Sequence, residues 1–178
     1  MNKQIGLKVE NGSKTDVFES FFVKIIPSIV FLYHICYILN MNFKFFPDNE
    51  LHSPDKDYKD EVGDVGREIK DLSRHRPDLY LRVKTFLTNL AKVDDISPYL
   101  QNQQIYKFPD KGGLYEMRIP KQAGGGVFRI YFCFAELLKN TLILLCAELK
   151  HKTKPMKLNN AEDKLKQYKE MVKQGDMQ

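Results

Sequence analysis

Three successive stretches in the second half of the chain, Leu114–Ile119, Val127–Phe134 and Thr141–Lys150, constrain the fold most. Each is read with the period-two pattern of a strand with one buried face. Their connections, with Gly124-Gly125-Gly126 in the first and Lys139-Asn140 in the second, are short enough for hairpins and too short for crossover helices. An antiparallel meander follows. Alternation places Tyr115, Met117 and Ile119 on one face with Phe128, Ile130, Phe132 and Phe134, and with Ile143, Leu145, Ala147 and Leu149. The opposite face, read as open, then carries Glu116, Arg118, Arg129, Tyr131, Glu148, Lys150 and Lys152. The triple glycine is read as a hairpin loop, because no Gly-Lys-Ser/Thr follows it and no helix begins there.

The apolar face needs a cover, and the preceding segment supplies one. Val62, Val65, Ile69 and Leu72 recur at helical spacing, predicting a helix over 58–73. After Arg74-His75-Arg76, Pro77 suits a first helical position, and Leu79, Val83, Phe86, Leu87 and Leu90 form the stripe of a second helix ending near Lys92. Asn42–Phe46 reads as a short first strand stopped by Pro47-Asp48. A last helix opens at Asn160 as N-cap with Asp163 three residues on, carries Ala161, Leu165, Tyr168 and Val172, and stops at Gly175. The expected class is α+β: a small antiparallel sheet against a helical hairpin, with a C-terminal helix.

Residues 41–178 are therefore read as the domain and 1–40 as an N-terminal extension. Ile25–Leu39 is apolar but contains Pro27 and His34, and it falls short of the ~20 residues of a membrane helix. It fits an arm packed on the domain or on a partner, a marginal membrane anchor, or sequence upstream of a true start at Met41. No stable membrane association is expected.

Charge is uneven. Residues 1–50 carry five basic and five acidic side chains, 51–110 ten and eleven, and 111–178 thirteen and seven. The net +5 thus arises in the last third, as expected of a polyanion binder or of a solvated lysine-rich helix. Cys36, Cys133 and Cys146 are too scattered for a disulfide scaffold or a zinc site, pointing to a reducing compartment, read as the cytoplasm, with no metal or cofactor. On the open face, Arg118 and Arg129 with nearby lysines could cradle phosphate through planar guanidinium forks. The structural alternative pairs them with Glu116 and Glu148 across the strands.

The segments Gly113-Leu114-Tyr115-Glu116-Met117-Arg118, Gly126-Val127-Phe128-Arg129-Ile130-Tyr131, Leu144-Leu145 and Lys150-His151-Lys152-Thr153-Lys154-Pro155, followed by Ala161 and Tyr168, resemble the RelE/HigB toxins, especially their phage-derived HigB-like branch. The resemblance spans about 41–174. It departs where His151 interrupts the usual lysine pair and where Glu148 stands in a neighbourhood in which an aromatic is common. It implies a RelE/ParE-like toxin of a type II toxin–antitoxin system that enters the ribosomal A site and cleaves mRNA without a metal, through attack of the ribose 2′-OH. Under it, Arg118 and Arg129 would stabilise the phosphate. Lys150 and Lys152 would hold RNA or tune a neighbour, and Tyr168 and His151 would be proton-transfer candidates. Tyr131, Lys154 and Lys157 would contact RNA. Strand parity places His151 with the core set, and Tyr168 lies on an apolar stripe, so packing also accounts for both.

The resemblance further implies the ribosome, mRNA and a cognate antitoxin, typically a helix-turn-helix protein, as partners. A gyrase-poisoning toxin of the ParE type and a degenerate, non-catalytic binding module share the same fold expectation.

Overall fold

The computed structural model describes residues 41–48, 51–52, 63–121, 126–150 and 156–176. The extension 1–40, the glycines 124 and 125, and His151, Lys152 and Lys154 lie outside the described residues. The elements in chain order are β1 (Asn42–Phe45), β2 (Leu51–His52), α1 (Gly63–His75), α2 (Pro77–Ala91), α3 (Ser97–Gln101), β3 (Ile105–Lys107), β4 (Tyr115–Ile119), β5 (Val127–Phe134), β6 (Thr141–Lys150) and α4 (Leu158–Gln174). The six strands form one sheet in the order β2-β1-β6-β5-β4-β3. It is not wholly antiparallel, as expected from the sequence, because β1 runs parallel to β6 from Asn42↔Thr141 to Phe45↔Leu144.

The three alternating segments become β4, β5 and β6, with β5 and β6 ending where the alternation ends. Asn140 closes the β5–β6 hairpin with φ 50°, a left-handed conformation that asparagine tolerates. Phe128, Ile130 and Phe132 pack with Met117 and Ile119 against Val65, Ile69, Leu79, Val83, Leu87 and Leu90 of the helical hairpin. Each such large side chain contributes roughly 1.5–3 kcal/mol by leaving water. Pro77 begins α2 as anticipated. Gly63 begins α1 at φ +57°, where a Cβ would lie 2.7 Å from the Phe46 carbonyl oxygen, so close approach and backbone conformation both select glycine.

One expectation about β6 fails halfway along the strand. Between Tyr131↔Cys146 and Phe132↔Leu144 the register skips Leu145, a β-bulge. The extra residue reverses alternation, so Ile143 and Leu145 leave the hairpin face while Ala147 and Leu149 keep it; Leu142 and Leu144 take the vacated positions. Lys164 donates to the Leu145 carbonyl oxygen at 3.1 Å, satisfying an acceptor at the irregularity.

The second face is not open either. Helix α4 lies across β5 and β6. Its Ala161, Leu165 and Tyr168 build a second core with Leu114, Tyr131, Cys133, Ile143, Leu145 and Cys146. Lys157 and Lys164 of this segment form ion pairs with Glu68 and Asp64 of α1. Gly175 caps α4 at φ 82°, as its position suggested. The N-terminus differs: the helix starts at Leu158 rather than after Asn160, and no local side chain caps it. Glu148 of β6 holds the segment leading into the helix, its Oε2 accepting from the backbone N–H of Met156 (2.9 Å) and Lys157 (3.2 Å). Among the described residues no helix is long and apolar enough to cross a membrane.

Candidate functional site

Register on the second face sets Arg118 opposite Arg129 and Arg129 opposite Glu148, with Glu116 opposite Tyr131 one step away. Two arginines facing each other across strands repel. Glu116 resolves this from beneath. Its carboxylate is fully buried; Oε2 accepts from Arg118 Nε at 2.8 Å, and Oε1 accepts from Arg129 Nη1. The Arg118 and Arg129 side chains remain 29% and 13% exposed. Arg129 Nε is buried and has no hydrogen-bond partner among the described residues. The ion-pair expectation is thus met at Glu116 for both arginines, whereas Glu148 is engaged elsewhere.

Glu148 Oε1 accepts from the Tyr131 hydroxyl at 2.8 Å. Burial first, then that hydrogen bond and charge, holds the Tyr131 phenol well above its ordinary pKa. Expected as an RNA contact, Tyr131 is instead fully buried under α4 and braces Glu148 from within. Lys150, at the end of β6, has a lowered pKa, chiefly through desolvation and then through the charge of Arg129. Its ammonium therefore gives up a proton more readily than a surface lysine.

Two further residues complete this end of the sheet. One is Glu116, expected as an ion-pair partner of the arginines, whose part as the anchor shared by both depends on cross-strand register. The other is Tyr106 on β3, paired with Glu116 in register. The Arg118 guanidinium carbon lies 5.0 Å from the Tyr106 ring centroid, and Phe108 meets the same ring edge-on at 5.0 Å. The sequence signal was the alternation of Tyr106 and Phe108, too short to define a strand by itself.

Tyr168 does not join this cluster. Its hydroxyl accepts the backbone N–H of Glu136 at 3.0 Å, beyond the far end of β5. Ala135 lies six residue steps along the chain from Arg129, roughly 20 Å. A cavity of about 290 Å³ lies beside Tyr168, lined by Gly112, Gly113, Cys133, Glu136 and Lys169 among others. Burial pushes the Cys133 thiol up to about 12, removing it as a nucleophile at neutral pH. Of the other expected residues, Lys157 is committed to Glu68. His151, Lys152 and Lys154 lie outside the described residues.

The arrangement thus fixes two guanidinium groups on one anchored carboxylate, beside a lysine with a lowered pKa and an exposed aromatic ring. Such a surface can bind an anion and stabilise charge developing on it. Among the described residues no three His, Cys, Asp or Glu side chains converge as metal ligands would. No family model matches the chain, and no curated protein is significantly similar to it.

Proposed function

We propose that this chain is the toxin of a type II toxin–antitoxin pair of RelE/HigB type, a ribosome-dependent mRNA endonuclease acting in the cytoplasm. The observation that carries the reading is the arginine pair held at the surface by buried Glu116, next to Lys150. In the reaction a base removes the proton of the 2′-OH, the O2′–P bond forms and the P–O5′ bond breaks. An acid then returns a proton to O5′, leaving a 2′,3′-cyclic phosphate and a 5′-hydroxyl. Arg118 and Arg129 would carry the added charge on the phosphorus oxygens, and Lys150 would serve in binding or proton transfer. Tyr168 stands apart from that centre, so the remaining proton-transfer group is sought elsewhere. A helix-turn-helix antitoxin, the ribosome and mRNA are the proposed partners.

The test is cleavage of translated mRNA by the full chain. Arg118→Ala is expected to lower the rate about 10²–10³-fold, as loss of one preorganised donor does. A 2′-deoxy substitution at the scissile nucleotide should abolish cutting. Unchanged cleavage in Arg118→Ala, or cutting of the deoxy substrate, overturns the mechanism. Inhibition of gyrase without mRNA cleavage would identify a ParE-type activity instead. The engagement of both arginines by Glu116 favours one further reading, a non-catalytic binding module; RNA binding without cleavage would select it.

A further inference from the structure

Arg118 is held on two sides. Its Nε donates to the Glu116 carboxylate at 2.8 Å, and its guanidinium carbon stands over the Tyr106 ring, 5.0 Å from the centroid. Both contacts follow from register. Glu116 lies two residues before Arg118 on the same face of β4, and Tyr106 is the residue of β3 paired with Glu116. Tyr106 is therefore the diagonal neighbour of Arg118, a separation that aromatic and long side chains span. The ring is itself supported. Phe108 meets it edge-on at 5.0 Å and leans in turn on the buried Tyr131, with centroids 6.5 Å apart.

The two arginines of the row are thus fixed by different means. Arg129 is 13% exposed and held largely by its burial on Glu116, whereas Arg118, at 29%, has more room to swing towards water. The face of a tyrosine ring is negative and attracts the cation above it. Among the described residues the only hydrogen bond of the Arg118 side chain is through Nε, so its Nη groups remain for an anion. We infer that Tyr106 is a positioning residue for Arg118, its ring holding the guanidinium so that the Nη edge meets a phosphate already oriented. The inference rests on the reading of the arginine row as phosphate-binding and adds what aims its more exposed member. Lysine lacks the planar fork that serves ring, carboxylate and phosphate together.

The test is binding of the full chain to a fluorescently labelled hexa-uridylate at low salt, with no ribosome and no cleavage. Tyr106→Leu keeps apolar bulk but removes the ring and should weaken binding about 2- to 30-fold, the range of a cation–π contact. Tyr106→Phe keeps the ring face and should stay within about twofold. In an Arg118→Ala background, Tyr106→Leu should change affinity less than about twofold, because the ring acts only through the arginine. An undiminished loss in that background would show that Tyr106 contacts the RNA itself or merely shapes β3, and would overturn the inference. A second readout needs no RNA: the Arg118 Nε–H nuclear magnetic resonance signal should shift in Tyr106→Leu, through loss of the ring's field, and hold in Tyr106→Phe. RNA binding with that signal unmoved in Tyr106→Leu would overturn the positioning role alone. No RNA binding by the unsubstituted chain would remove the phosphate-binding reading of the row, and the inference with it.

Discussion

The two faces of the sheet are buried by different means. Beneath the helical hairpin, Met117, Ile119, Phe128, Ile130 and Phe132 belong to one cluster of buried apolar side chains. Beneath and beyond α4 the same strands bury Glu116, Tyr131 and Glu148, each tied to a named partner. The first face holds the domain together through area removed from water, which demands fit but no particular chemistry. The second gives up part of that gain to hold charged groups in place. Buried charges rarely add stability over well-packed apolar residues, but each becomes costly once its partner is removed. The contrast separates what the fold needs from what a site needs.

The strongest challenge to this contrast is Glu116→Ala. It leaves the largely buried Arg129 without its carboxylate and should destabilise the domain by about 3–5 kcal/mol in chemical denaturation. Replacing Glu116, Arg118 and Arg129 together by apolar residues of similar volume should recover most of that loss. If the triple variant is as unstable as Glu116→Ala, the second face is a structural core like the first and the distinction collapses.

Glu148→Gln probes the same face more gently. It keeps the shape but weakens the acceptor shared by Tyr131 and the start of α4, for an expected cost of about 1–3 kcal/mol. Amide exchange should accelerate at Met156 and Lys157, while amides of α2 under the other face change only with global stability. Uniform acceleration would show that the two faces open as one unit.

The smallest effect concerns the Asp64–Lys164 contact between α1 and α4. The hydrogen bond from Lys164 comes first among the causes that lower the Asp64 pKa. A carboxyl depressed in the folded state contributes stability above its unfolded pKa and loses it as pH falls through the folded value. Lys164→Met should therefore flatten the acid limb of the stability–pH curve below about pH 4 and leave the curve's shape near neutrality unchanged. An unaltered acid limb would show that the contact contributes nothing measurable, as many partly exposed pairs do.

Local chemistry made some parts of this molecule legible and left others hidden. The ends of β5 and β6, the start of α2 at Pro77 and the glycine stop of α4 follow from alternation, fixed proline φ and glycine's left-handed freedom, all readable within a few residues. The parallel pairing of β1 with β6 joins residues about a hundred positions apart, and nothing in Asn42–Phe45 records its direction. Tyr131 alternates as a surface residue should, and its burial comes from α4, folded in from another part of the chain. The arginines were legible as a pair, but their shared anchor on Glu116 and the neighbouring Tyr106 needed the register of three strands. Glu148 looked like a partner for an arginine because strand parity shows the face and not which neighbour a flexible carboxylate selects.

The bulge at Leu145 has a consequence for how this strand can change length. Chain added or lost at most positions of β6 would turn every following side chain over, sending Glu148 and Lys150 towards the hairpin. At Leu145 the ladder already steps over one residue, so its removal would leave Leu144 opposite Phe132 and Cys146 opposite Tyr131. The loss would fall on one apolar side chain and on the carbonyl that Lys164 holds. The strand thus has a single joint at which its length can be edited while the charged end stays in phase with its neighbours.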